Sequence, residues 1–259
     1  MTHASRAKTY SFGRDRGELL RLYCFPFAGG SGQFYEPWRN RLPSAIAVIP
    51  IEIAGRGRRL GENLVVEFES HVDEIVTDLT SDDPVPFAFF GHSMGALLAF
   101  EVARRLRNLG QPGPLRLFVS AHRAPHLPDR EADLYQASDA VLVEQLRTWS
   151  GTPERILSDA SMQRIILPIL RADLATSASY RFQPGPPLEC PIIAFGAWSD
   201  PEASQEELAA WSEQTSARFQ LEMFSGAHFF IRDREDEFMP KFRDELSLFA
   251  SEVLMQSVA

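Results

Sequence analysis

Short apolar runs recur along the chain, separated by longer segments whose apolar residues return every three or four positions. The short runs, 19–25, 45–53, 85–90, 115–121, 191–195 and 219–224, read as strands. The segments between them read as amphipathic helices. In 70–79, Val72, Ile75, Val76 and Leu79 share one face. Segment 94–109 ends at Gly110, a residue that readily closes a helix. Segment 204–215 opens with Ser204 and has Glu207 three residues on, a capping box. Near the C-terminus Phe238, Phe242, Leu246, Phe249 and Val253 are expected on one face, with Pro240 in the first turn. Strands alternating with helices predict an α/β fold around a largely parallel sheet.

The alternation lapses between 121 and 191. Two helices are expected there, at 139–149 and 161–174. The first carries Val141, Leu142, Leu146 and Trp149; the second is apolar around most of its circumference and holds Pro168, which should kink it. So long an insertion is either an extra pair of core helices or a helical lid, over about 125–182, on an apolar substrate channel. The lid reading nominates Leu142, Leu146, Ile166, Ile169 and Leu170, together with Phe27 and Phe229, as channel residues.

Chemistry enters at Gly91-His92-Ser93-Met94-Gly95. This G-x-S-x-G run lies directly between an expected strand and an expected helix, the setting of a nucleophile elbow. There the serine hydroxyl is exposed at a sharp bend, and the next residue, Met94, offers its backbone N–H to an oxyanion. The competing reading is a glycine-rich turn. A serine needs a base, and in such a fold the acid and then the histidine follow the serine in chain order. Of six histidines, His228 fits best. It follows the last expected strand, in the glycine-containing loop 225–230. His3 lies in a polar tail, His71 precedes the serine, His92 is its immediate neighbour, and no strand-end acid separates His122 or His126 from it. Asp200, in the loop after strand 191–195, is the leading acid, with Glu202 as fallback. A second oxyanion donor is expected after the first strand, where Phe27-Ala28-Gly29-Gly30 exposes backbone N–H groups; Ala28 is favoured over Phe27.

Bulk properties narrow the field. The 259 residues fit one domain of 19–259 behind a polar segment, 1–18. A net charge of −9 disfavours nucleic acid as a partner. No apolar run approaches the roughly 18 residues of a membrane helix. The polar N-terminus lacks a signal-peptide core, so a cytoplasmic protein is expected. Cys24 and Cys190 stand in apolar stretches and read as small buried hydrophobes.

Taken together, Phe25-Pro26-Phe27-Ala28-Gly29-Gly30, Trp38, Gly55-Arg56-Gly57-Arg58-Arg59, the Ser93 pentapeptide, Gly226-Ala227-His228-Phe229-Phe230 and the run 167–173 resemble the type II thioesterases. These are stand-alone editing enzymes of polyketide synthase and nonribosomal peptide synthetase pathways. The resemblance implies an α/β-hydrolase fold with a helical lid. It implies hydrolysis of acyl groups from the phosphopantetheine arm of an acyl or peptidyl carrier protein, without metal or cofactor. It assigns Ser93 as nucleophile, Asp200 as acid, His228 as base, and the N–H groups of Ala28 and Met94 as oxyanion hole. Carrier proteins of this class are acidic, so docking on an acidic chain needs a local basic patch; Arg56, Arg58 and Arg59 are the candidates, with a merely solvated loop as the competing reading. The alternatives are a carboxylesterase or lipase on small acyl esters, and a non-catalytic binding protein of the same fold.

Overall fold

All six expected strands form: β1 (Leu20–Phe25), β2 (Ile46–Pro50), β3 (Phe87–His92), β4 (Arg116–Ser120), β5 (Ile192–Ala197) and β6 (Phe219–Phe224). The computed structural model describes residues 19–81, 85–128 and 133–258; the polar segment 1–18, with His3, lies outside them. The strands make one sheet in the order β2-β1-β3-β4-β5-β6, with every neighbouring pair parallel.

Successive side chains of a strand point to opposite faces, and here both faces are buried. Tyr23, Phe25, Phe89, Leu117, Val119, Ile192 and Ala194 enter one core, against Val72 and Ile75 of α1 (Phe68–Thr80) and Leu97 and Phe100 of α2 (Met94–Asn108). Leu22, Cys24, Phe90, Phe118, Ile193 and Phe195 enter the other, against Phe238, Phe242, Leu246 and Phe249 of the C-terminal helix. Cys24 is a buried free thiol, and burial holds its pKa well above the usual range. Cys190 is half-buried, and its pKa is pushed up to about 11 by desolvation.

Between β4 and β5 lie α3 (Asp139–Trp149), α4 (Glu154–Leu157) and α5 (Ala160–Ser179). They have a core of their own, in which Leu142, Val143, Leu146 and Trp149 meet Leu157, Leu167, Leu170 and Phe229. α5 passes through Pro168 as one helix of 20 residues, five residues beyond its expected end. The expected helix 204–215 divides into α6 (Gln205–Ala209), with the full Ser204–Glu207 capping box, and a 3-10 turn, Ala210–Gln214. After α7 (Phe230–Asp233) comes α8 (Glu235–Val258). Pro240 lies beyond the first turn of α8, one turn deeper than expected. The helix starts early because the Glu237 and Phe238 N–H groups already donate to the Arg234 carbonyl, at 3.0 and 2.9 Å. Among the described residues no helix is long and apolar enough to cross a membrane.

The chain leaves β1 for β2 on one side and returns as β3 on the other. Where the winding reverses, the loops after β1 and β3 part and leave a crevice at the carboxyl ends of the strands.

Candidate active site

That crevice holds Ser93. β3 ends at His92, α2 starts at Met94, and Ser93 alone makes the turn, with φ 54° and ψ −127°. A positive φ at a residue bearing Cβ stores strain of about 1–3 kcal/mol, tolerated only where the surroundings enforce it. Here the Ser93 N–H donates to the Ser120 carbonyl at 2.8 Å, and the Ala96 N–H donates to the Ser93 carbonyl at 2.8 Å. The flanking glycines have a steric reason. A Cβ on Gly91 would stand well under 3.0 Å from the Gly95 carbonyl, and one on Gly95 equally close to the Phe25 carbonyl. Their absence lets α2 begin against the end of β1. Met94, at the N-terminus of α2 where the positive end of the helix dipole lies, lines the same crevice.

The loop after β1 supplies the opposite wall. Tyr35 Oη donates to the Phe25 carbonyl at 2.9 Å and fixes the strand end. Phe27 to Gly30 then make a turn, with the Gly30 N–H on the Phe27 carbonyl at 2.8 Å and Gly29 at φ 75°, a value glycine adopts freely.

His228 follows β6 and Asp200 follows β5. Backbone bonds lock the two loops together: Trp198 N–H to the Phe224 carbonyl and Ser199 N–H to the Gly226 carbonyl, both 3.0 Å. His228 Nδ1 lies 3.1 and 3.0 Å from the two Asp200 carboxylate oxygens. A carboxylate accepts, so Nδ1 carries the hydrogen and Nε2 is left as the basic nitrogen. Asp200 Oδ1 also accepts the Glu202 N–H at 2.9 Å, which holds the carboxylate in place. Both side chains are buried.

These residues open into one cavity of about 340 Å³, lined by Phe27, Ala28, Ser93, Met94, His228 and Phe229, among others. The five channel candidates on the insertion stand elsewhere. Leu142, Leu146 and Leu170 form the insertion's own core, Ile166 packs on that core, and Ile169 is half-buried outside the cavity wall. The wall is instead Trp149, Leu174, Ser177, Tyr180 and Arg181. Trp149 packs beside His228, ring centroids 6.3 Å apart, and its indole N–H donates to Glu202 Oε1 at 2.7 Å. The fallback acid is thus engaged with the insertion, and Asp200 is the carboxylate at the histidine. His122 and His126, set aside on chain order, also line the cavity.

The expected basic patch does not exist as drawn. Arg56 is only 2% exposed and its guanidinium grips the Asp173 carboxylate of α5. Arg59 is bound by Glu62 and Glu74, both at 2.6 Å, and only Arg58 is exposed. Three arginines in five residues look like a solvated cluster until Asp173 and Glu74 are placed beside Arg56 and Arg59.

His92, beside Ser93, is fully buried; its Nδ1 lies 2.9 Å from Ser120 Oγ and its ring packs on Phe27, His228 and Phe229. Burial holds its pKa well below the usual 6.5, with the charge of His228 acting in the same direction. His71 is lowered from the same value, again chiefly by burial. Both take up protons in the unfolded chain as pH falls below about 6.5 and refuse them in the fold, so stability is lost there. Glu52 and Glu101, raised by burial, act in the opposite sense, since the fold protonates them first as pH falls. A His92→Asn comparison isolates one group. The wild type should lose up to about 1.4 kcal/mol more than the variant for each pH unit below 6.5, in chemical denaturation. Equal slopes would count against this account.

Comparison with known proteins agrees with this geometry. The family model described as "Thioesterase domain" matches residues 20–246. The gramicidin S biosynthesis protein GrsT of Aneurinibacillus migulanus is 38% identical over 229 residues, covering 88% of this chain and 90% of the relative. The RedJ thioesterase from the prodiginine pathway of Streptomyces coelicolor superimposes with a TM-score of 0.82 at 39% identity, covering 88% of this chain and 91% of that one. The type II thioesterase BorB from the borrelidin biosynthetic cluster gives 0.80 at 36%, covering 88% and 92%. A parallel sheet wound about Ser93, an Asp200–His228 pair over the same crevice and a sequence match running through nearly all of it place the chain in the thioesterase-domain family, with the α/β-hydrolase fold.

Proposed function

We propose that this chain is an editing thioesterase that hydrolyses acyl groups from the phosphopantetheine arm of acyl or peptidyl carrier proteins. The observation that carries the reading is the Asp200–His228 pair, fixed beside the cavity that also holds the strained Ser93 elbow. The relatives' association with gramicidin S, prodiginine and borrelidin biosynthesis supports it.

In this mechanism His228 Nε2 takes the Ser93 hydroxyl proton as Oγ attacks the thioester carbonyl. The N–H groups of Met94 and Ala28 hold the oxyanion. The His228 imidazolium gives that proton to the departing sulfur, so the pantetheine leaves as a thiol and an acyl-serine remains. His228 then activates a water, which attacks the acyl-serine and releases the acid. Asp200 holds the imidazole tautomer throughout. The insertion, α3 to α5, serves as the lid, and its Trp149 and Tyr180 face the acyl chain. The carrier docks outside, on a surface that excludes buried Arg56. A cytoplasmic location is part of this proposal.

A panel of acyl-carrier proteins of varied chain length tests the reading, run beside matched small thioesters and oxygen esters. Faster release from the carrier than from a matched free ester is expected. Preference for the oxygen ester would replace this function with a carboxylesterase.

A further inference from the structure

One buried ion pair has no place in the mechanism above. Asp173 sits in α5 and is 0% exposed. Arg56 comes from the loop after β2, and its Nη2 donates to Asp173 Oδ1 at 2.6 Å while Nη1 bonds Oδ2. The same Oδ2 accepts the Gly29 N–H at 2.7 Å, and Nη1 also reaches the Gly30 carbonyl at 3.4 Å. Leu170, one turn earlier in α5, lies against Gly29. A helix of the insertion and an arginine from a third segment therefore converge on the Phe27–Gly30 turn.

We infer that Asp173 and Arg56 are positioning residues for the oxyanion hole, an inference that rests on the thioesterase reading. The Gly29 N–H belongs to the peptide that follows Ala28. That bond holds the peptide plane on one side of Ala28, and the Gly30 N–H on the Phe27 carbonyl holds the plane that carries the Ala28 N–H, so the two together set its direction. An oxyanion donor is effective only when aimed before the charge develops. Asp173 supplies the aim. Alone, its carboxylate would stand as a second negative charge beside the forming oxyanion, in an environment that screens poorly. Arg56 cancels that charge through a planar two-pronged contact that a lysine cannot reproduce. Orientation without net charge is thus divided between the two residues.

The test compares Asp173→Asn, Arg56→Lys and the double change Arg56→Met with Asp173→Leu. The double change removes both charges, which a folded interior tolerates better than one unpaired charge. Asp173→Asn preserves volume and one acceptor, and keeps the test open if the double variant fails to fold. Each folded variant should lose about tenfold to hundredfold in kcat, with KM on a small acyl thioester little changed. Affinity for a trifluoromethyl ketone analogue, which places an oxyanion in the same hole, should fall by the same factor as kcat/KM. Unchanged kcat in a folded variant overturns the inference. So does a fall in kcat with analogue affinity intact, since that marks a merely structural effect. If activity depends on Ser93 but not on Asp173, only this inference fails. If activity survives Ser93→Ala, the functional reading beneath it fails.

Discussion

Replacing Ser93 with alanine should reduce acyl-thioester hydrolysis on the order of 10⁴-fold or more while leaving the melting temperature almost unmoved. The two halves of that expectation have separate physical grounds. The loss follows from removing the atom that forms the acyl intermediate; the cavity and its N–H donors can then only orient substrate toward water. The unchanged fold follows from the backbone. Position 93 is held at φ 54° by the Ser120 and Ala96 hydrogen bonds, which use main-chain atoms alone. Alanine carries the same Cβ and meets the same strain. His228→Ala should fall in the same range, and the double variant should fall no further, since the two side chains act as a unit. Hydrolysis of an acyl-pantetheine thioester, with circular dichroism melting on the same samples, measures both halves. Ser93→Ala enzyme that retained most of its rate would remove the assignment of the nucleophile and, with it, of the base.

Gly91→Ala should act through the opposite channel, on the fold first and activity second. The added Cβ would meet the Gly95 carbonyl and the Ala96 nitrogen, which are main-chain atoms of the first turn of α2. No flexible side chain stands there to yield, so β3 or α2 must shift. The expected cost is about 3 kcal/mol or more, a fall in melting temperature of roughly 6–12 °C for a domain of this size. Gly61 and Gly113 have nothing within 4 Å of the corresponding position. Alanine at either should change stability by less than about 0.5 kcal/mol. Equal melting of Gly91→Ala and Gly113→Ala would show that the elbow does not need its glycine for packing.

That steric demand is also why the elbow was legible. A strand that must turn directly into a helix admits only small residues at fixed spacing, and the demand is written within five positions. Most strands were legible because burial on both faces leaves them largely apolar, while the half-buried β6 alternates apolar residues with Gln220 and Glu222. Chain order then pointed to His228 and Asp200, and the structure places them 3.0 Å apart. The cavity wall was not legible. An apolar stripe on α3 or α5 looks the same whether it packs on a helix or faces a substrate, and the stripe went to the insertion's own core. The half-polar residues Trp149, Ser177, Tyr180 and Arg181 took the cavity. Arg56 was misread for a related reason: its partner lies 117 residues away. The available signal was Asp173 itself, an acid set between Ala172 and Leu174 in an apolar helix.

The Gly29–Asp173 hydrogen bond joins residues 144 positions apart. Contacts of that span close late, because the chain between them must be ordered before they can form. The loop beside Ser93 therefore cannot take up this hydrogen bond until residue 173 has been made and α5 is in place. Competence is thus a property of the finished domain, and a half-made chain holds its serine with little power to use it.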